Sequence, residues 1–313
     1  MMTELSKKVI AGDPRSIARL ITLVENDAPD AVESMKQIHR HTGQAQIIGV
    51  TGVMGSGKSS LIFELTLGFR AEGKKVGIIA IDPTSPFSGG ALLGDRIRMT
   101  DLSTDSGVFI RSMGTRGMMG GLTSSLYDVV EILDAAGMNV ILIETVGVGQ
   151  DEVDIVKIAD TTLVVLVPGL GDSIQTIKAG LMEIADIFVV NKADKPGVEQ
   201  TVAELESMLD LVNNIERRIP IVKTSVKQKK GIQLLISKIA EHQDYLKKSK
   251  TFDTRRRQRY EAELIEIIRK RLMDFIFDEK KLKKTVDCCI DQISKKELDP
   301  YSAAEDILGK ILK

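Results

Sequence analysis

The chain has 313 residues, enough for one large domain with extensions or two smaller ones, each with a substantial core. Its 43% hydrophobic and 28% charged residues are those of an ordinary globular protein, and a net charge of −1 argues against a wholesale nucleic-acid or membrane-surface binder. No apolar run approaches bilayer length, Asp13, Arg15 and Arg19 stand where a leader would be apolar, and Cys288 and Cys289 are adjacent and late, which together predict a reduced, cytoplasmic protein.

Residues 1–43 read as an N-terminal helical extension. Asp13-Pro14 is a cap and first-turn pair, and Ile17, Leu20, Ile21 and Val24 then recur at helical spacing. A second helix is predicted from Pro29, carrying Val32, Met35 and Ile38. Residues 44–245 alternate short apolar runs with amphipathic segments. The predicted strands are 45–50, 75–81, 108–110, 139–143, 161–167, 187–190 and 219–222, several of them continuous Val/Ile/Leu runs suited to parallel strands covered on both faces. The fold class is therefore α/β, a doubly wound, mostly parallel sheet with N- and C-terminal helical extensions and ligands expected at the strands' C-terminal ends.

The first strand runs into Gly52-Val53-Met54-Gly55-Ser56-Gly57-Lys58-Ser59, and Leu61, Ile62 and Leu65 continue at helical spacing. Strand, glycine-rich loop and helix in that order are the context a phosphate loop requires. Gly52, Gly55 and Gly57 let backbone N–H groups approach phosphate oxygens, with Ser56 and Ser60 in the same turn. Lys58 would neutralise the outer phosphates and the Ser59 hydroxyl would face Mg²⁺. Asp82, closing the second predicted strand, and Asp95, in the Gly89–Met99 loop, are acidic candidates for the metal shell. Glu144-Thr145-Val146-Gly147 follows the fourth strand. Glu144 would reach Mg²⁺ or its waters, where most GTPases carry Asp, and the Gly147 N–H could sense the γ-phosphate. Catalysis at such a site is positioning and charge stabilisation, with water attacking phosphorus. His39, His41 and His242 lie outside the region, so Gln150 is the candidate for orienting that water. Arg96, Arg98, Arg111 and Arg116 are candidate charge stabilisers, with pairing away from phosphate the expectation for most.

Asn191-Lys192-Ala193-Asp194 sits at the end of the strand 187–190. A carboxylate there offers two acceptors to the ring N–H and exocyclic amine of guanine, a donor pair adenine lacks. Asn191 would brace the loop and the Lys192 stem would cover the base. Thr224-Ser225-Val226, after the next strand, fits a loop closing over it.

Residues 246–313 read as a C-terminal helical dimerisation arm. Leu264, Ile265, Ile268, Leu272, Phe275 and Ile276 mark one face of a long helix, to be covered by the same chain or, as expected here, by self-association. The basic run Arg255-Arg256-Arg257-Gln258-Arg259 is followed by Glu261, Glu263 and Glu266. It is expected to form a solvated, salt-bridged face rather than a nucleic-acid site.

Taken together, Gly52–Ser59, Asp82-Pro83-Thr84-Ser85-Pro86, residues 89–96, Glu144–Gln150, Pro168-Gly169-Leu170-Gly171-Asp172 and Asn191–Asp194 resemble one family over nearly the whole chain. It is the SIMIBI-class GTPase chaperones of adenosylcobalamin-dependent methylmalonyl-CoA mutase, formerly labelled lysine/arginine/ornithine transport ATPases. The resemblance implies a slow GTPase that gates cofactor loading and protects the mutase from inactivation. It also implies a homodimer joined through the C-terminal arm, with GTP or GDP and Mg²⁺ as ligands and adenosylcobalamin met only through the partner. Lys58, Ser59, Asp82, Asp95 and Glu144 match the family's nucleotide and metal positions. The 172–178 loop matches a mobile partner-facing segment, with Asp172, Gln175 and Lys178 retained. Met54 departs from the family's usual Pro, and Ser173-Ile174 replaces a more acidic pair, which leaves the client open among several acyl-CoA mutases. The competing functions are a nucleotide-driven phosphotransferase or transport energiser, disfavoured by Asn191–Asp194, and a metal-insertion GTPase, disfavoured by the lack of Cys or His clusters.

Overall fold

The computed structural model describes residues 2–82, 102, 104–114, 124–145, 155–169, 181–211, 217–278 and 280–311. Two compact units divide the chain, Met1–Arg259 and Tyr260–Lys313. Among the described residues, the first unit is built on seven parallel strands: β1 (Gln46–Gly52), β2 (Val76–Asp82), β3 (Val108–Gly114), β4 (Val140–Glu144), β5 (Thr161–Leu166), β6 (Ile187–Val190) and β7 (Ile221–Lys223). Their spatial order is β3-β2-β4-β1-β5-β6-β7, so the winding direction reverses at β1. That reversal opens a crevice at the C-terminal end of β1, where doubly wound sheets take their ligands. The sheet and its flanking helices are the α/β architecture expected from the sequence. The largest departure is β3, which runs four residues past its apolar stretch. Arg111 made the sequence look broken there, but on this edge strand its guanidinium pairs with Glu25.

Among the described residues, the α-helices of this unit before residue 250 are α1 (Glu4–Ile10), α2 (Pro14–Glu25), α3 (Pro29–Ile38), α4 (Lys58–Ala71), α5 (Ser124–Ala135), α6 (Leu181–Ile184), α7 (Val198–Leu211) and α8 (Ile232–Lys248). Asp13 caps α2 by accepting the Ser16 N–H at 2.8 Å, and Pro14 at the first position has no donor to lose. The stripe Ile17, Leu20, Ile21 and Val24 is buried, and α1–α3 pack on α5. One sheet face sets Ile48, Val50, Ile78 and Leu142 against Leu61, Leu65 and Phe69 of α4 and Leu235 and Ile239 of α8. The other sets Val164, Leu166, Phe188 and Val190 against Leu205 and Leu209 of α7. Each fully buried side chain of this size contributes about 1.5–3 kcal/mol, which is why the sheet is a rigid platform for its loops.

Three aspartates hold the opposite, N-terminal end of the sheet. Asp134 accepts the N–H groups of Gly43, Gln44 and Ala45 at 2.6, 3.1 and 2.9 Å, just before β1. Asp160 accepts the Ile47 N–H at 3.0 Å, and Asp186 the Thr162 N–H at 2.8 Å. The long helix α9 (Thr251–Asp278) begins here and corrects the reading of the basic run. Arg255 donates to both Asp186 oxygens at 2.9 and 2.8 Å and to the Asp160 carbonyl at 2.9 Å. Arg256 lies over the Phe252 ring and donates to the carbonyls of Gly43 and Ala45 at 2.5 and 2.8 Å. Arg259 is buried too, leaving Arg257 exposed. Spacing of three and four residues puts 252, 255, 256 and 259 on one helix face, and that face meets strand ends rich in carbonyls and carboxylates instead of water. His242 completes the cluster, with Nδ1 2.9 Å from Thr161 Oγ1 and Nε2 3.3 Å from Asp186. Burial by itself would raise the Asp186 pKa, but hydrogen bonds from His242 and Arg255 outweigh it and bring the carboxyl down to about 2.

The second unit holds the rest of α9 with α10 (Lys280–Ser294) and α11 (Pro300–Ile311). Asp299 caps α11 by accepting the N–H groups of Tyr301 and Ser302 at 2.9 and 3.0 Å. Leu282, Val286, Cys289 and Ala303 are buried, whereas Leu264, Ile265, Ile268, Met273, Phe275 and Phe277 of α9 are exposed. Among the described residues, no helix is long and apolar enough to cross a membrane.

Candidate nucleotide site

The loop between β1 and α4 is shaped by two glycines. Gly52 has φ +132°, and a Cβ there would lie 2.1 Å from the Val165 carbonyl oxygen of β5. Gly57 has φ +88°, and a Cβ there would lie 2.7 Å from Asn191 Nδ2. Larger residues would therefore break the loop by strain and by contact together. Gly57 caps α4 without a side-chain hydrogen bond, so the first-turn N–H groups and the positive end of a 14-residue helix face the loop. The Ser56 hydroxyl is fully buried in the same loop and has no hydrogen-bond partner among the described residues. An anion with several oxygens fits such a lining, because it supplies acceptors to these donors.

Lys58, buried, donates from Nζ to the carbonyls of Gly52 at 2.8 Å and Val53 at 3.2 Å, which curls the side chain back over the loop. Ser59 donates to Glu144 Oε1 at 2.6 Å. That bond joins the first turn of α4 to the C-terminal end of β4 and places two hard oxygen donors together, the donor type Mg²⁺ takes. Ser60 follows in the same turn, and Met54, at the loop's tip, is exposed. Asp82 ends β2 opposite Gly114, with the backbone alone described. Asp95, Gly147 and Gln150 lie outside the described residues, as do Arg96, Arg98, Arg116 and the 172–178 loop.

The second half of the site stands on β6 and β7. Buried Asn191 donates from Nδ2 to the Ser56 carbonyl at 2.8 Å and accepts the Thr224 hydroxyl at 3.2 Å. One amide thus ties the phosphate loop to the two loops beside it. Lys192 takes a left-handed backbone conformation at φ +57°, and its Nζ donates to the Gly55 carbonyl at 2.6 Å. Ser225 donates to Asp194 Oδ1 at 2.7 Å and exchanges backbone hydrogen bonds with Lys230, both at 3.0 Å. The Ser225 hydroxyl and a backbone N–H hold the Asp194 carboxyl below the usual carboxylate range, and Lys227 and Lys195 add to the effect. It is therefore an ionised acceptor at neutral pH. Val226 leaves this loop to pack on the core, which anchors it.

One feature escaped sequence reasoning. Thr51 and Thr145, at the ends of β1 and β4, share a buried hydroxyl–hydroxyl bond of 3.0 Å. Threonine suits any strand end, so neither residue carried a signal alone. Arg111, one of the candidate charge stabilisers for most of which pairing away from phosphate was expected, is engaged with Glu25 and, at 3.4 Å, with Thr22.

The reversal at β1, the glycine loop beneath α4 and the Asn-Lys-x-Asp segment following β6 define a P-loop GTPase. The family model described as methylmalonyl-CoA mutase-associated GTPase MeaB matches residues 17–281, and the chain belongs to that family. A GTPase of Pyrococcus abyssi is 52% identical over 100% of this chain and 97% of its own length. The mitochondrial methylmalonic aciduria type A homolog of Caenorhabditis elegans is 30% identical over 97% of this chain and 82% of its own. Among solved structures, a LAO/AO transport system kinase superposes with a TM-score of 0.73 over 100% of both chains at 23% identity, a likeness of fold.

Proposed function

We propose that this GTPase is a nucleotide switch for an adenosylcobalamin-dependent acyl-CoA mutase, methylmalonyl-CoA mutase first among the candidates. In this role it gates cofactor loading and protects the mutase from inactivation. Support for the partner comes from the family's own description and from the methylmalonic aciduria type A relative. Support for the nucleotide comes from one observation above the others. Asn191, three residues before the ionised Asp194, is bonded directly to the phosphate loop, so base recognition and phosphate binding share one rigid frame.

In this reading the Asp194 carboxylate takes the two guanine donors and Ser225 fixes its rotamer. The Lys192 stem lies along the base, and Thr224 and Val226 support the closing loop. Gly52, Gly55, Ser56, Gly57 and Ser60 line the phosphates. Lys58 leaves its loop carbonyls for the phosphate oxygens, where its charge counts in ground and transition states alike. Ser59 and Glu144, with Asp82 and Asp95, would hold Mg²⁺, which would supply neutralisation of phosphate charge when bound. Gly147 reads the γ-phosphate and Gln150 orients the attacking water. Intrinsic turnover is slow, because the region offers no histidine base for that water and a partner changes the rate. The exposed apolar face of α9 is assigned to a second copy of the chain, giving a homodimer through residues 246–313.

Equilibrium binding of GDP and ADP to the full chain tests the nucleotide assignment. GDP should bind at least about a hundredfold tighter, as expected when a hydrogen-bonding site meets a base lacking its donors. Equal affinities would overturn the base assignment while leaving the phosphate loop in place.

A further inference from the structure

β1 and β4 are neighbours in parallel register, with Val50 opposite Glu144. Side chains alternate along a strand, so Val140, Leu142 and Glu144 share one face of β4, and Ile48 and Val50 share the same face of β1. That face is packed by α4, and the Glu144 carboxylate meets Ser59 in that helix's first turn. Thr51 and Thr145 follow one residue later and turn to the opposite face. There the Thr145 hydroxyl donates to the Thr51 hydroxyl at 3.0 Å, with both residues at most 1% exposed. The Thr145 N–H also donates to the Val50 carbonyl at 3.1 Å. The two bonds grip the peptide directly after Glu144, and the Thr51 end of the strut directly precedes Gly52.

We propose that the Thr51–Thr145 pair is a positioning strut that holds Glu144 against Ser59 and thereby sets the site's demand for its divalent cation. The proposal rests on the phosphate-site reading above. Its logic is a lever across the sheet. The strut fixes the two strand ends from one face, and the paired donors Ser59 and Glu144 stand on the other. A carboxylate at the end of a strand has free rotation about its stem and a frayed backbone behind it. Tying the following peptide to the neighbouring strand removes the second freedom and leaves Ser59 to select among rotamers of the first. Valine at either position would keep the branched shape and lose the hydroxyl. One such change strands the remaining hydroxyl in a buried site, whereas changing both removes donor and acceptor together and is close to neutral for stability.

Those two expectations separate positioning from simple support. In the full chain, Thr145→Val should raise the Mg²⁺ concentration for half-maximal GTP turnover about tenfold, the usual scale for groups that orient metal ligands. Preference for GTP over ATP should stay unchanged, and Thr145→Ser should restore the wild-type Mg²⁺ requirement. Thr51→Val should act in the same direction and carries the comparison if Thr145→Val does not fold. The double variant Thr51→Val/Thr145→Val should recover the thermal midpoint lost by the single ones yet keep the raised Mg²⁺ requirement. A wild-type Mg²⁺ requirement in the single variants, or its recovery in the double one, would overturn the strut. GTP turnover indifferent to Mg²⁺ in the unmodified chain would overturn the phosphate-site reading and the strut with it, and it is seen before any substitution is made.

Discussion

The two units of this chain bury their apolar residues to different degrees. In Met1–Arg259, the central strands carry Leu, Ile and Val to complete burial on both faces. In Tyr260–Lys313, most large apolar residues of α9 stay open to solvent, with Leu264 at 58% and Ile268 at 56% exposure, while Ile276 of the same helix is buried. The first unit therefore carries the closed core on which the nucleotide site stands. The second, at roughly fifty residues, is short of core by the usual surface-to-volume measure, and its exposed face is the one proposed above for self-association. Under the proposed assignment the difference puts chemistry in one unit and assembly in the other, and substitutions should respect that division.

The sharpest break is expected in the first unit's phosphate loop. Lys58→Ala should lower GTP turnover at least about a hundredfold in single-turnover assays, the scale for removing a group aimed at developing charge. Nucleotide binding should weaken with it. Unchanged hydrolysis would remove Lys58 from the site. Asp194→Asn should come next, cutting discrimination between GTP and ATP about a hundredfold while the chain still binds phosphate, as competition binding would register.

A third substitution tests whether the first turns of α9 belong to the first unit. Breaking a buried pair costs about 3–5 kcal/mol, but Arg255 is about a third exposed and solvent screening reduces this, so Arg255→Met should cost about 2 kcal/mol in urea unfolding at neutral pH. The penalty should depend on acid with a definite sign. Asp186 titrates near 2 in the folded chain against 3.8 ordinarily, so its contribution is present above about pH 4 and fades as pH falls toward 2. The gap between wild type and variant should close over that window, and a gap independent of pH would assign the loss to packing alone. The smallest effect on folding is reserved for Ile268→Asp. It should change the stability of the first unit by less than about 0.5 kcal/mol yet convert a dimer to monomers in sedimentation velocity. An unaltered mass would move the association surface elsewhere.

Much of the fold was legible in the sequence. The parallel strands announced themselves as Val/Ile runs, Asp13-Pro14 marked a helix start, and Gly52–Ser59 stood between strand and helix. What the sequence could not display is partnership across long separations. Arg255 and Arg256 read as a solvated basic run because their partners Asp160, Asp186, Gly43 and Ala45 come from distant stretches and converge only when strand ends align. Arg111 broke the β3 pattern because Glu25 is invisible from its neighbours in sequence. The Thr51–Thr145 bond links residues 94 apart and rests on two side chains ordinary for strands. Local propensity was readable, and tertiary compensation of polar groups was not.

The central claim, a GTPase switch read by an acyl-CoA mutase, is tested most directly by GTP turnover of the full chain with and without purified adenosylcobalamin-dependent methylmalonyl-CoA mutase. The account predicts slow turnover alone and a several-fold or larger change when the mutase is added. Turnover that is identical with and without this mutase and its isobutyryl-, ethylmalonyl- and hydroxyisobutyryl-CoA counterparts would contradict it.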